Sequence, residues 1–159
     1  MATDSHLIGL ISDTHGQVRA EVHKALAGVG LILHAGDVGG QEILDELALI
    51  APVRAVFGNT DPPDHPRLAE ELSLRVGGLS IHVSHGHELG SPTPAKLAER
   101  YEADVVVYGH THRQLVTHLG GRLVINPGAA GPRRFNLRPS VARLRISERK
   151  AEVEIVELT

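Results

Sequence analysis

The chain has no cysteine and no tryptophan, and only two phenylalanines and two tyrosines among its 159 residues. Each shortage removes a class of function. Without thiols there is no disulfide scaffold, no thiolate zinc module and no cysteine nucleophile, so a bound metal must rest on imidazole, carboxylate or amide oxygen. With 3% aromatic residues the chain has no stacking platform for single-stranded nucleic acid. Long apolar runs are missing as well, since no stretch approaches the ~18 residues of a membrane span. The opening MATDSHLIGLIS puts no basic region ahead of its short apolar run, which argues against a signal peptide. A cytoplasmic protein with no membrane partner is expected.

What is present is ordinary in bulk and unusual in one respect. Hydrophobic residues make up 42% and charged residues 22%, a globular mix, and the length suits one domain over 1–159. The net charge of −3 disfavours an extended nucleic-acid face while leaving room for one small phosphate site. Against the missing thiols stand 11 histidines.

The first two-thirds alternate short apolar runs with amphipathic stretches. Strands are expected over 7–11, 31–34, 53–57, 79–84 and 105–108, with helices over 18–27, 42–50 and 94–101. Pro94 suits a first helical turn, where its missing N–H costs nothing. The last third changes to short Val/Ile-rich strands over 114–119, 122–125, 141–146 and 151–156, the first two joined at Gly120-Gly121. βαβ units followed by antiparallel strands imply two packed sheets with helices outside. The apolar edges of the last strands leave a homodimer open.

Five successive strands each run into Asp, Asn or His beside a glycine: Asp13-Thr14-His15-Gly16, Gly36-Asp37, Gly58-Asn59-Thr60-Asp61, His85-Gly86-His87 and Gly109-His110-Thr111-His112. Taken singly, each fragment reads as turn chemistry. Jointly they fall at the carboxyl ends of the strands, where open α/β sheets bind ligands. Asp13, His15, Asp37, Asn59, His85, His110 and His112 offer seven donors, too many for one tetrahedral ion. They suit two divalent ions sharing a carboxylate. Mixed imidazole, carboxylate and amide donors favour Mn, Fe, Zn or Ni over Ca, with manganese the leading expectation. Two such ions roughly 3.5–4 Å apart are the usual clamp for phosphoryl hydrolysis.

These segments, in this order, resemble the calcineurin-like metallophosphoesterases, whose pattern is D-x-H, G-D, G-N-H-D/E, H and G-H-x-H. The match runs from Leu7 to Gly128 and includes Asn126-Pro127-Gly128. The short spacing looks closest to the cap-less prokaryotic phosphodiesterases, a branch that also contains the metallophosphoesterase-like scaffold subunit of retromer. The resemblance implies a four-layer αββα sandwich, two mixed β-sheets flanked by helices. It also implies a ligand division: Asp13, His15, Asp37 and His112 on one ion, and Asp37, Asn59, His85 and His110 on the other. The implied reaction is hydrolysis of a small phosphodiester, or an activated phosphomonoester, by a hydroxide held between the ions. The alternative is a metal-binding interaction scaffold like the retromer subunit. A nuclease would want a long positive track.

Thr60 stands where the wider family has the histidine associated with the leaving group, and a hydroxyl is a poor general acid near neutral pH. His87 is the replacement named by position, either as proton donor or as a group that orients the metal shell. Asp61 keeps the family's acidic place and joins His87 in the expected catalytic set. Arg113 and Arg133, with Arg134 beside it, are either phosphate ligands or solvated loop charge. His6, His23, His65 and His118 read as surface residues, His82 as facing away across its strand, and His34 as a satisfied strand-end histidine.

Overall fold

A computed structural model of the chain describes residues 5–134 and 136–158; residues 1–4, where the leader reading begins, lie outside that set. β1 (Ser5–Ile11), α1 (Ala20–Ala25), β2 (Leu31–His34), α2 (Gln41–Leu47) and β3 (Val53–Val56) make two successive βαβ units, and β4 (Leu68–Ala69) adds a short edge. The chain then builds a second sheet from β5 (Leu72–Val76), β6 (Leu79–Val83), β7 (Val105–Val107), β8 (Leu115–Leu119) and β9 (Arg122–Asn126), with α3 (Pro94–Arg100) between β6 and β7. The hairpin of β10 (Ser140–Ser147) and β11 (Lys150–Glu157) returns to the first sheet. The sheet orders are β11-β10-β1-β2-β3-β4 and β5-β6-β7-β9-β8. Both are mixed: β1 to β4 are parallel and β10 antiparallel, while β6, β7 and β9 are parallel between antiparallel edges.

Strand side chains alternate between two faces, and here both faces of the central strands are covered. Ile8, Leu10, Leu33 and Val56 point to the second sheet and meet Ile81, Val83, Val105, Val107, Leu123 and Ile125 in the central core. The alternate residues Ile11 and Ile32 pack outward against Val22, Leu26, Ile43, Leu44 and Leu47 of the α1 and α2 layer. Val106 and Val124 pack outward on Leu97 of α3. Three cores between four layers give the expected αββα sandwich.

Two sequence expectations change. The first two helices are only six and seven residues long, shorter than their amphipathic stretches. Neither has a side-chain cap, and Gly28 turns the chain at φ +86° just past α1. Helices this short owe their stability to packing on the sheet. By contrast α3 starts as expected, with Pro94 in its first turn and the Thr93 hydroxyl accepting from the Lys96 N–H. The second change is a pair of unanticipated strands, β4 and β5. The Leu72, Leu74, Val76 alternation of β5 follows a turn-rich loop with three prolines, and β4 has only two residues.

The register sets up the site. Ile11, His34 and Ala55 form one row of parallel partners, and Val83, Val107 and Ile125 form another. All five motif-bearing strands therefore end at the same edge of the sandwich.

Candidate metal centre

The loops beyond these strand ends are held in an uncommon backbone conformation. Asp13, His15, Asp37, His110 and His112 have φ between 46° and 71°. The other described non-glycine residues with positive φ are Asn136 and the hairpin pair Glu148-Arg149. Left-handed backbone costs a non-glycine residue roughly 1–3 kcal/mol, so five cases in one cluster mark a place where geometry is imposed from outside. Part of the imposition is a ladder between the first two loops. The N–H groups of Asp13, His15 and Gly16 donate to the carbonyls of Gly36, Asp37 and Val38 at 2.9, 2.9 and 3.0 Å.

Five donors converge. Asp13, His15 and His112 form one group, and Asp13, Asp37 and His85 another. Each carboxylate has one anchored oxygen and one that faces imidazoles. Asp13 Oδ2 accepts from the Ser12 hydroxyl at 2.7 Å and the His110 N–H at 3.2 Å. Its Oδ1 lies 3.1, 3.4 and 3.8 Å from Nε2 of His85, His112 and His15. Asp37 Oδ1 accepts both the N–H and the hydroxyl of Thr60, at 2.9 and 2.8 Å. Its Oδ2 lies 3.5 Å from His85 Nε2 and 3.6 Å from His15 Nε2. Both carboxylates thus straddle the two groups.

These distances test whether a divalent ion fits. Donors about 2.0–2.2 Å from a common ion stand about 3–3.5 Å from each other, close to the observed spacing. His15 Nε2 is buried and makes no hydrogen bond among the described residues, although it faces two carboxylate oxygens. An unsatisfied imidazole nitrogen aimed at carboxylates is the arrangement a cation completes.

The supports lie one layer out. Asp61 accepts the backbone N–H groups of Val38, Gly39 and Gly58 at 2.9, 3.1 and 2.9 Å, tying the second loop to the third. Close approach demands glycine here: a Cβ at Gly58 would run into Asp37 Oδ1, and one at Gly109 into the Ser12 hydroxyl. Asn126 donates to the Gly109 carbonyl and to the Thr111 hydroxyl, at 3.2 and 3.0 Å, and so braces the loop carrying His110 and His112. His85 and His87 share a hydrogen bond between their Nδ1 atoms at 3.0 Å. Beneath them Tyr101 donates to Glu88 at 2.7 Å, and Glu88 in turn accepts the Gly86 N–H at 3.0 Å.

Burial alone would raise the Asp13 carboxyl, but the His112 and His85 imidazoles and the Ser12 hydroxyl outweigh it and hold Asp13 ionised well below the usual range. Burial lowers His15; Asp37 and Asp13 partly offset it, while Arg134 and His112 add to the lowering. Burial, reinforced by His85, lowers His110 as well. An ionised Asp13 beside His15 and His110, both held toward the neutral form, suits a cation, while His85, raised by Asp13 and Asp37 against its burial, would release its extra proton on binding one.

Residues 7–149 match the calcineurin-like phosphoesterase superfamily domain. The chain belongs to the calcineurin-like phosphoesterase superfamily. A probable metallophosphoesterase of Methanothermobacter thermautotrophicus is 39% identical over 161 aligned positions, covering 94% of this chain and 91% of the relative. A phosphodiesterase of Methanocaldococcus jannaschii is 31% identical, covering 76% and 82%. Among solved structures, vacuolar protein sorting 29 from Cryptosporidium parvum superposes with a TM-score of 0.79 at 25% identity, covering 98% of each chain.

In this member of the superfamily the structure brings together Asp13, His15, Asp37, His85 and His112. His110 stands outside the two tight groups, with its ring edge-on to His85 at 5.1 Å between centroids. Asn59 is exposed at the rim between Gly58 and Thr60. Arg113 is exposed, and Arg133 lines a groove with Arg19 and Arg138. It is Arg134, set beside Arg133 in the sequence reading, whose charge reaches the His15 imidazole. The Thr60 bonds to Asp37 were missed, and no one-dimensional signal marks them, because they join loops 23 residues apart. His34 is buried and satisfied as expected: Nδ1 accepts the Gly36 N–H, so Nε2 donates to the Thr14 hydroxyl. His82 faces outward onto Tyr101, stacked at 3.7 Å.

Proposed function

We propose that this metallophosphoesterase hydrolyses phosphodiesters, and monoesters with acidic leaving groups, at a centre holding two divalent ions, manganese first among Mn, Fe, Zn and Ni. The carrying observation is that Asp13 Oδ1 and Asp37 Oδ2 each face imidazoles from both donor groups. Asp13, His15, Asp37 and His112 would hold one ion, and Asp37, Asn59, His85 and His110 the other. When bound, such ions supply Lewis acidity toward water and charge neutralisation at the phosphoryl group.

The chain's own residues then have separable tasks. Thr60 holds Asp37 Oδ1, so that Oδ2 is presented inward. Asp61 has both oxygens occupied by backbone donors and acts by positioning the loops. In the structure His85 Nε2 donates to Asp13 Oδ1 at 3.1 Å; with an ion held on Nε2 instead, His85 Nδ1–H would donate to His87 Nδ1. His87 thereby orients His85 behind the metal centre. Arg134 adds positive charge on the His15 side, suited to an anionic substrate. The named activity of the Methanocaldococcus jannaschii relative supports the phosphodiester preference. The likeness to vacuolar protein sorting 29 supports a second reading, a metal-binding scaffold, with which the complete donor set is also compatible.

Elemental analysis and hydrolysis of bis(p-nitrophenyl) phosphate test the reading on wild type and Asp37→Asn. The wild type is expected to carry two ions per chain and to turn over with manganese. The variant is expected to lose metal and about 10²-fold or more in kcat/KM. Full manganese-dependent turnover by Asp37→Asn would refute the site. A fully metallated wild type inactive on all phosphoesters would favour the scaffold.

A further inference from the structure

Beside the metal-donor loops lies a groove of about 360 Å³ lined by Arg19, Arg133, Arg138, Pro139 and Leu158. The chain carries a net charge of −3, so three arginines around one groove are not a by-product of general basicity. Among the described residues the carboxylate bonded to the groove is Glu157, 3.4 Å from Arg138 and also bonded by Gln114 at 3.3 Å, so three guanidinium groups face one carboxylate.

The groove adjoins the centre through Gly131. The Gly131 N–H donates to the Asp13 carbonyl at 3.3 Å, and its own carbonyl accepts from Arg19 Nε at 3.0 Å. A Cβ at Gly131 would strike the Thr14 carbonyl, so this backbone lies flat against the ligand loop. Arg133 follows two residues later, within ~7 Å of chain contour. The three guanidinium groups therefore stand around a groove joined to the ligand loop through one stretch of backbone. Guanidinium forks match phosphate oxygens bidentately, and several forks around one groove suit a dianion better than a monovalent carboxylate.

We propose that the groove of Arg19, Arg133 and Arg138 is a subsite for a second phosphate group of the substrate, carried beyond the ester that is cleaved. This rests on the hydrolase reading for its catalytic consequence, but the phosphate site itself does not. The preferred substrates are then phosphodiesters whose retained half bears another phosphate.

Two measurements test it. The first compares thymidine 5′-(p-nitrophenyl phosphate) with and without a 3′-phosphate, using the manganese-loaded protein. The wild type is expected to favour the 3′-phosphorylated probe by about tenfold or more in kcat/KM. That ratio is expected to fall toward one in the Arg133→Gln/Arg138→Gln double variant. A wild-type ratio near one, or a ratio the double variant leaves intact, overturns the proposal. The second titrates inorganic phosphate into chelator-treated protein and follows the arginine Nε–H resonances. Saturable shifts at Arg19, Arg133 and Arg138 are expected in the wild type, with the Arg19 shift lost in the double variant; their absence, or an Arg19 shift that the variant leaves intact, overturns the subsite. If neither probe is hydrolysed with any metal, the hydrolase reading fails and the phosphate titration still decides the groove. If both are hydrolysed equally, the hydrolase reading survives and the subsite falls.

Discussion

Thr60 shows how much a single hydroxyl can do at this centre. By resemblance it occupies a histidine's place and reads as a loss. In the structure it gives Asp37 two hydrogen bonds and settles which carboxylate oxygen turns inward. Hydrogen bonds to a charged group contribute about 1.5–3 kcal/mol, and partners behind a metal ligand typically tune affinity by about 10–100-fold. Thr60→Val keeps the N–H bond but removes the hydroxyl, so manganese affinity should fall about tenfold, as read by competition with a chelating indicator. Thr60→Ser should restore it; an unchanged Thr60→Val would mean the N–H alone orients Asp37. At this scale the Asp and His donors were legible because their types and spacing are written in the chain. The Thr60 bond and the left-handed backbone of the ligands were not, since both depend on loops brought together from distant positions.

The His85-Gly86-His87 loop, with the 3-10 turn His87–Leu89, is anchored by elements rather than by its own residues. Tyr101, at the end of α3, holds Glu88, which holds the Gly86 N–H. Burial, then the Glu88 hydrogen bond and charge, push the Tyr101 hydroxyl up to about 12, so it remains a donor throughout the working range. Tyr101→Phe removes this tie with little change in shape. The expected cost is about 1 kcal/mol in urea denaturation, together with up to about tenfold weaker metal binding. A stability loss without any change in metal binding would assign Tyr101 to packing alone. The position of α3 was predictable from Pro94 and its amphipathic spacing, whereas β4 escaped because two residues carry no period. The shortness of α1 and α2 also escaped, because packing on the sheet, not the amphipathic stretch, sets where they stop.

Across the whole molecule, buried imidazoles couple stability to pH. Burial lowers His34 and His82 from 6.5 to about 4 in the folded state. Unfolded, each takes up its proton near 6.5. Stability is therefore full above about pH 7, falls as pH drops below 6.5, and the loss is complete near pH 4. His34, wholly buried, accounts for roughly 3 kcal/mol of that loss. His15 and His110 act in the same direction, while His85, raised by Asp13 and Asp37 against its burial, opposes them. Urea midpoints in chelator at pH 7.5 and 4.5 should show the drop, and His34→Gln should flatten it. An equal drop in that variant would place the dependence elsewhere.

The chain by itself determined the α/β layering, most of the strands, the family and the set of chemical donors, because these follow from local periodicity and from residue types at strand ends. Tertiary structure alone decided which donors come within ion-sharing distance and which oxygen of each aspartate faces inward. Those outcomes depend on contacts across two sheets and between loops more than 20 residues apart. Pattern along a chain says which groups are available; only the packed loops say at what distance and in which orientation they meet.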